Sequence, residues 1–308
     1  MFGIVVTAIC ALELISQGLW AQEDERLHRT SWGDPDIRGV WDFKTLTPLQ
    51  RPEEMADRPF LTEEEAVEFE RQELANHDAD RRDGPAIRDI NRGYNQFWHD
   101  RGTNITADHR TSLIVDPPDG RIPELTVTAQ AEMGLARQRP ITERIVIGSP
   151  LLGPEDVGLS ERCILGFSSG PPIVPSGNNN NVQLFQTPDY VVVFTEMIHE
   201  ARIISLNSHP PLPSGIHQWL GDSRGRWEGQ TLVVKTSNFS EKVSFSGGLT
   251  GRGGGGETFH LIERFTRVDE DTLLYEFTVE DPTWWTRPWM VELPMTKTTG
   301  PLFEYVCH

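Results

Sequence analysis

The polar residues of the stretch Tyr190–Leu206 are the first candidates for chemistry, because they interrupt a largely apolar pattern. If the stretch is one β-strand, successive side chains point to opposite faces. Glu196, Glu200 and Arg202 then share one face, and His199 lies on the other. A buried charge is costly unless it is paired. The pattern therefore predicts either an ion-paired group inside the protein or an edge strand whose charges meet water.

A second polar insertion lies in a predicted hairpin of residues 258–266 and 273–279. Its antiparallel register could bring Glu276 against Arg264 or His260. A histidine with a carboxylate partner is the usual equipment for acid–base chemistry near neutral pH. A purely structural ion pair fits the same pattern. The candidate catalytic residues are His199, Glu196, Arg202, His260 and Glu276.

Aromatic and charged residues cluster in three further places. The loop 216–222 combines a histidine, a tryptophan and an aspartate, a tryptophan group with an arginine follows the last predicted long strand, and residues 94–101 form a third group. Functional residues concentrate on loops, although ordinary packing also explains each group. Together they predict a pocket for a small-molecule substrate or ligand. The candidate binding residues are His217, Trp219, Asp222, Trp285, Arg287 and Trp289.

Familiar metal-binding motifs do not occur in the sequence. There is no H-E-x-x-H and no Cys/His spacing typical of zinc. The glycine-rich segment 247–256 is not followed by the Lys-Ser/Thr of a phosphate loop. Three histidines, at 199, 217 and 260, could converge on a metal, but their spacing does not predict it. We therefore predict a metal-free chemistry without a cofactor.

The charge of the chain excludes one class of partner. The 308 residues include 46 acidic and 28 basic side chains, with a net charge of −18. Nucleic-acid binding requires clustered Lys and Arg, which neutralise phosphates. The same imbalance disfavours docking on anionic lipid. We predict no nucleic-acid partner and no membrane contact after removal of the signal segment.

The N-terminus predicts export. Residues 2–12 form an apolar run of signal-peptide length, and Ala21 is a plausible cleavage point. A buried N-terminal helix is the alternative. Cleavage leaves Cys163 and Cys307 as the cysteines of the mature chain, and in an exported protein such a pair predicts a disulfide, with two buried thiols as the alternative. The predicted location is the periplasm or the exterior.

The candidate catalytic and binding residues must be positioned by a mainly β architecture. We predict a signal peptide over 1–21, an N-terminal arm over 22–110 and an antiparallel β domain over 111–308. The arm contains a helix that begins with a capping box at Thr62, and a second helix is expected over Thr126–Arg137. Short-linked alternating strands from Val182 onward favour a lipocalin-like barrel, with a β-sandwich as the alternative.

Four runs of the sequence carry a family resemblance: WGDPDIRGVW at 32–41, RTSLIVDPPDGRIP at 110–123, EMIHEARI at 196–203 and GDSRGRWEG at 221–229. They resemble a large family of exported bacterial proteins of unknown function. The resemblance covers most of the mature chain. It implies export and one shared architecture, and it implies no mechanism.

Two functions follow from these observations. The first is an exported enzyme of the lyase, isomerase or hydrolase type that acts on a small, partly apolar molecule. A candidate histidine would serve as acid or base, a carboxylate would orient it, and Arg202 or Arg287 would stabilise developing negative charge. The alternative is a lipocalin-like binding protein whose tryptophans form the wall of an apolar pocket.

Overall fold

The structure is a computed structural model of the chain. It describes residues 29–81, 95–138, 153, 159–160, 162–166, 169–207, 210–241, 243 and 256–305. The predicted signal peptide, the glycine-rich segment 247–255 and Cys307 lie outside these residues.

The β-strands form one mixed sheet that closes into a barrel. Ten strands follow one another in the order β1-β3-β4-β5-β6-β7-β8-β9-β10-β2, and pairing of β1 with β10 closes a barrel of nine. The strands are β1 (Gly39–Asp42), β2 (Ile114–Asp116), β3 (Asn181–Gln186), β4 (Tyr190–Thr195), β5 (Ala201–Ser205), β6 (Asp222–Glu228), β7 (Thr231–Ser237), β8 (His260–Arg267), β9 (Thr272–Glu280) and β10 (Trp289–Thr298).

This architecture confirms the predicted mainly β fold and the barrel, and it is consistent with a lipocalin-like fold. The chain does not fold as a simple antiparallel meander, because β5 and β6 pair in parallel at Ser205 and Arg224. The barrel also takes a strand from the predicted arm. β1 lies beside residues 296–298 of β10, and β2 lies beside Met290 and Val291 on the same edge.

The prediction of one long strand over Tyr190–Leu206 is wrong. β4 ends at Thr195, a 3-10 turn follows, and β5 returns antiparallel to β4. Ile198 and His199 have left-handed backbone angles, with φ of 65° and 47°, which reverse the chain. Thr195 N–H donates to the carbonyl of Glu200 at 3.0 Å and closes the hairpin. The turn lacks the glycine or asparagine that usually marks such a backbone.

Both predicted helices form. α1 (Glu63–His77) begins with the predicted capping box, in which the Thr62 side chain accepts from the N–H of Glu65 at 3.3 Å and Glu65 accepts from the N–H of Thr62 at 3.0 Å. α2 spans Val127–Gln138. Two 3-10 turns lie at Glu53–Met55 and Gln96–Trp98.

α1 is attached to the rest of the arm by a small core of its own. This core contains Leu46, Leu61, Ala66 and Ile105, each at most 8% exposed. Among the described helices, none combines the length and hydropathy that a membrane span requires.

The main core fills the interior of the barrel. Alternate residues of β7 to β10 point inward and are almost fully buried. Burial of each large apolar side chain contributes about 1.5–3 kcal/mol. The loop before β3 contributes to the same core, since Ile173 is buried and its N–H donates to the hydroxyl of Tyr275 at 3.1 Å. The largest buried side chains include Trp41, Phe43, Phe239, Phe259, Phe265, Tyr275, Phe277 and Trp289.

Candidate functional site

One predicted catalytic residue, Arg202, lies inside the barrel in a charge cluster. Its guanidinium donates to both carboxylate oxygens of Glu263 at 2.5 and 2.8 Å, and the side chains are 7% and 0% exposed. The Tyr275 hydroxyl donates to the same carboxylate at 2.7 Å. Ser223 and Thr236 complete the surroundings of Arg202.

Arg202 and Tyr275 of this cluster both keep their protons at neutral pH. Burial alone would lower the pKa of Arg202, but the carboxylate of Glu263 outweighs it and raises that pKa. Burial, reinforced by the charge of Glu263, raises the pKa of Tyr275 well above its ordinary value. The tyrosine therefore remains a hydrogen-bond donor at neutral pH. With both partners of Glu263 engaged in this way, we assign the cluster to stability rather than to proton transfer.

The Glu196 carboxylate does not pair with the His199 imidazole, and a backbone bond joins the two residues instead, from the N–H of His199 to the carbonyl of Glu196 at 3.3 Å. The Glu196 carboxylate is 2% exposed and accepts from the side chain of Asn181 at 2.9 Å and from the N–H of Phe303 at 2.7 Å. His199 is exposed on the turn between β4 and β5. Glu196 therefore ties the C-terminal segment to the barrel instead of orienting the histidine.

His260 and Glu276 lie on the outer face of the barrel. His260 is exposed and pairs in register with Glu280. Glu276 lies opposite Arg264, as the predicted register allowed, and opposite Glu292 on its other side. The pKa of Glu276 is raised overall. Partial burial and then the charge of Glu292 raise it, and Arg264 opposes them only in part.

The residues of the loop 216–222 mainly hold that loop in place. The imidazole of exposed His217 lies 3.1 Å from the carbonyl of Phe239. The Asp222 carboxylate accepts from the N–H of Leu212 at 2.9 Å and forms a salt bridge with Arg224, also at 2.9 Å. Trp219 is half-buried.

The tryptophans after β9 belong to the core. Trp285 and Trp289 are 2% and 0% exposed and contact each other edge to face at 5.8 Å. Arg287 lies on the surface and pairs with Asp116 at 2.6 Å. The predicted site residues are therefore spread over the barrel interior, its outer face and its loops, and they do not line one pocket.

A different set of residues lines an open cavity of about 710 Å³ on the outside of the barrel. We call it the α1 groove. One wall is α1, the second is the segment 102–109, and the floor is the outer face of β1, β9 and β10. Small-molecule sites commonly measure about 300–1,000 Å³. The residues that line its walls and floor include Asp42, Lys44, Glu63, Ala66, Val67, Glu70, Ile105, His109 and Pro294.

Lys44 is the lysine of this groove. Its ammonium lies 2.8 Å from the Asp42 carboxylate and 3.2 Å from that of Asp100. Burial would lower the pKa of Lys44, but Asp42 and then Asp100 outweigh it and raise that pKa. The amine is therefore charged at neutral pH and already neutralised by its neighbours.

His109 faces the groove from the opposite wall. Its Nε2 lies 3.6 Å from a carboxylate oxygen of Glu63, and the two side chains are 29% and 78% exposed. The backbone of His109 is left-handed, with φ of 56°. Two hydrogen bonds hold it there: its N–H donates to Thr106 at 2.8 Å and its carbonyl accepts from Leu61 at 2.9 Å. A histidine beside a carboxylate in an open cavity can exchange a proton with a bound molecule.

Glu70 fixes the distance between the two walls. Its carboxylate accepts from the N–H of Ile105 at 2.9 Å and from the amide of Asn104 at 3.5 Å. Because Glu70 belongs to α1 and the other two residues to the segment 102–109, these bonds join helix and segment directly.

The sequence did not indicate this groove. Lys44, Glu63, Glu70 and His109 come from three separate parts of the arm, with both glutamates supplied by α1. The capping box was the one local signal, since it places Glu63 at the start of a helix. Only the docking of α1 on the barrel brings these side chains together.

Within the described ranges, no group of three or more His, Cys, Asp or Glu side chains has the geometry to hold a metal ion. A comparison with protein-family models found no match, and a comparison with curated proteins found none either. The resemblance to exported bacterial proteins therefore stays a prediction.

Proposed function

We propose that this protein binds a small, partly apolar molecule in the α1 groove. The observation that carries the proposal is the groove itself, an open cavity of about 710 Å³ with apolar and titratable side chains on facing walls. An apolar wall with a few fixed polar groups is the usual composition of a ligand site. The side chains that fill the barrel interior argue against the inner cavity of a lipocalin as the site.

The charges of the groove select the class of ligand. Asp42, Glu63 and Glu70 contribute three carboxylates, whereas Lys44 is the lysine and is paired with Asp42. A further anion would meet this excess of negative charge. We therefore propose a neutral or positively charged ligand, such as a small amine with an apolar body. Ala66, Val67 and Ile105 supply apolar contacts to that body.

The proposal is tested by filling the groove. Val67 lines the groove from α1 and is 58% exposed, so Val67→Trp would occupy it without disturbing the core. Leu74 lies on the same helix, is 41% exposed and does not line the groove, so Leu74→Trp is the matched control. Native mass spectrometry of the mature chain and titration calorimetry with amines and carboxylates would measure binding. We expect amine binding by the wild type and the control and its loss in Val67→Trp. Binding that Val67→Trp leaves unchanged, or a preference for carboxylates, would refute the proposal.

A second candidate function is acid–base catalysis in the same groove, without a metal. The observation that favours it is His109 with Glu63 at 3.6 Å, since such a pair suits a lyase, isomerase or hydrolase step. His109 would transfer the proton, and Glu63 would orient it. Neither of the predicted catalytic histidines has this setting, since both are exposed outside the groove.

His109→Asn separates binding from catalysis. Asparagine tolerates the left-handed backbone of this position. His77→Asn is the control, because His77 has a similar carboxylate contact, 3.5 Å to Glu73, and does not line the groove. Catalysis predicts that a bound amine is chemically converted by the wild type and by His77→Asn and not by His109→Asn. Recovery of the ligand unchanged from the wild type would exclude catalysis and leave binding as the function.

We also propose that the protein is exported and that Cys163 and Cys307 form a disulfide. Signal cleavage after Ala21 and oxidation of the two cysteines are both predicted from the sequence. Mass spectrometry of protein recovered from an oxidising periplasm tests both. We expect a chain that begins at Gln22 and is lighter than its reduced form by the mass of the hydrogens that are lost when the disulfide forms. A full-length mass or free thiols would contradict these predictions.

A further inference from the structure

An arginine without a partner lies where the arm meets the loop before β3. The Nε of Arg101 is buried and has no hydrogen-bond partner, and no salt bridge involves this guanidinium among the described residues. The side chain is half-buried. Asp100 next to it is engaged by Lys44 at 3.2 Å. Among the described residues, the Arg101 guanidinium therefore has no carboxylate partner and can accept an external anion.

A second donor faces the same point. A Cβ built on Gly177 would lie 3.3 Å from Nη2 of Arg101 and 3.6 Å from Nδ1 of His99. Both side chains therefore approach the backbone of Gly177 closely, at the point where any other residue would carry its side chain. The two nitrogens are close enough for one oxyanion group to bond to both. Hydrogen bonds from an arginine to a carboxylate or phosphate are among the strongest in proteins.

The backbone around this point is held rigidly. Asp100 N–H donates to the carbonyl of Gly177 at 2.8 Å. The side chain of Asn180, which is fully buried, donates to the carbonyl of Asp100 at 2.6 Å and to that of Ser176 at 3.1 Å. A site that is ordered before binding loses little entropy on binding.

We propose that Arg101 and His99, with Gly177 between them, form a binding site for a small carboxylate or phosphate anion. The site is separate from the α1 groove, since none of these three residues lines it, and it has the opposite charge preference. Phe97 and Trp98 precede it, are 82% and 60% exposed, and contact each other edge to face at 5.3 Å. They offer an apolar surface for the body of an aromatic carboxylate.

Titration calorimetry of the mature protein with inorganic phosphate and with benzoate tests this site. Arg101→Gln removes the cation. Gly177→Ala leaves every charge in place and adds a methyl group 3.3 Å from Nη2 of Arg101, which displaces the guanidinium; the backbone of Gly177 is not in the left-handed region. Lys235→Gln is the control, because it removes one positive charge from an exposed position on β7.

We expect saturable binding by the wild type and the Lys235 control, and a loss of about tenfold or more in both site variants. Tighter binding of benzoate would assign the site to an aromatic carboxylate, and tighter binding of phosphate to a phosphate group. Thermal unfolding of each variant identifies any that is misfolded. If Arg101→Gln is misfolded, Arg101→Lys replaces it; this variant keeps the charge, so a smaller loss of anion affinity is expected. Absence of saturable binding to the wild type, or equal affinity in Gly177→Ala, would overturn the proposal.

Discussion

Glu276 lies on the outer face of β9 with Glu292 on one side and Arg264 on the other. Its raised pKa means that ionisation of this carboxyl costs more in the folded protein than in the unfolded chain. The protonated form is therefore favoured on folding. The stability that the protonated Glu276 contributes is complete below the ordinary pKa of glutamate. It is lost as the pH rises through the raised pKa of the folded protein.

Glu276→Gln is therefore expected to stabilise the protein at pH 7, by less than about 1 kcal/mol because the site is partly exposed. The gain should vanish in acid, where the wild-type side chain is itself neutral. Chemical unfolding at both pH values measures it. Glu280→Gln is the control, because Glu280 is on the same face of β9 and pairs with His260 instead of a carboxylate. A gain that is equal at both pH values would contradict this account.

The alternation of residue types left two settings open for Arg202, an ion-paired group with Glu196 and Glu200 or an edge strand whose charges meet water. Arg202 is in fact ion-paired inside the barrel. Its partner proved to be Glu263, three strands away around the barrel and 61 positions along the chain. No local pattern encodes such a partner, because it depends on the register of every strand between the two.

Elements were predicted best where the signal is local. The Thr62 capping box and the apolar alternation of β8 and β9 were recognised, and they form as expected. The hairpin at Glu196–Glu200 was missed, since left-handed Ile198 and His199 give no turn signal. β10 was also missed as a strand, because its tryptophan and proline resemble a loop.

The capping box also controls one wall of the α1 groove. Thr62→Ala removes the side-chain acceptor for the N–H of Glu65 and should destabilise the helix by about 1 kcal/mol. Because Glu63 and Val67 of the first turns line the groove, ligand affinity should fall as well. Thr62→Ser keeps the hydroxyl and should behave as wild type. Calorimetric titration with chemical unfolding measures both effects, and an equal loss in the serine variant would rule out the cap as the cause.

The closure of the barrel could not be predicted from local sequence patterns. β1 belongs to the polar, proline-rich part of the chain, yet it completes the barrel between β3 and β10. The α1 groove has the same origin, since its floor and walls come from the two ends of the folded chain. Packing of the arm on the barrel therefore decides both the closure and the proposed site.

The same closed interior makes the Arg202–Glu263 pair an element of global stability. Both side chains are buried in the core, with exposures of 7% for Arg202 and 0% for Glu263. Loss of one partner leaves an unpaired buried charge, which typically costs about 3–5 kcal/mol. Glu263→Gln should therefore lower the free energy of unfolding by an amount in this range, and Tyr275→Phe, which removes only a hydrogen-bond donor to Glu263, by less.

Arg202→Met combined with Glu263→Leu distinguishes a structural role from a functional one. The double variant leaves no unpaired buried charge, so most of the stability lost in Glu263→Gln should return. Denaturant unfolding of the single and double variants measures the coupling between the two positions. If the pair serves stability alone, the double variant should also keep the amine affinity of the α1 groove. A double variant that is stable but no longer binds would instead make the barrel interior part of the functional site.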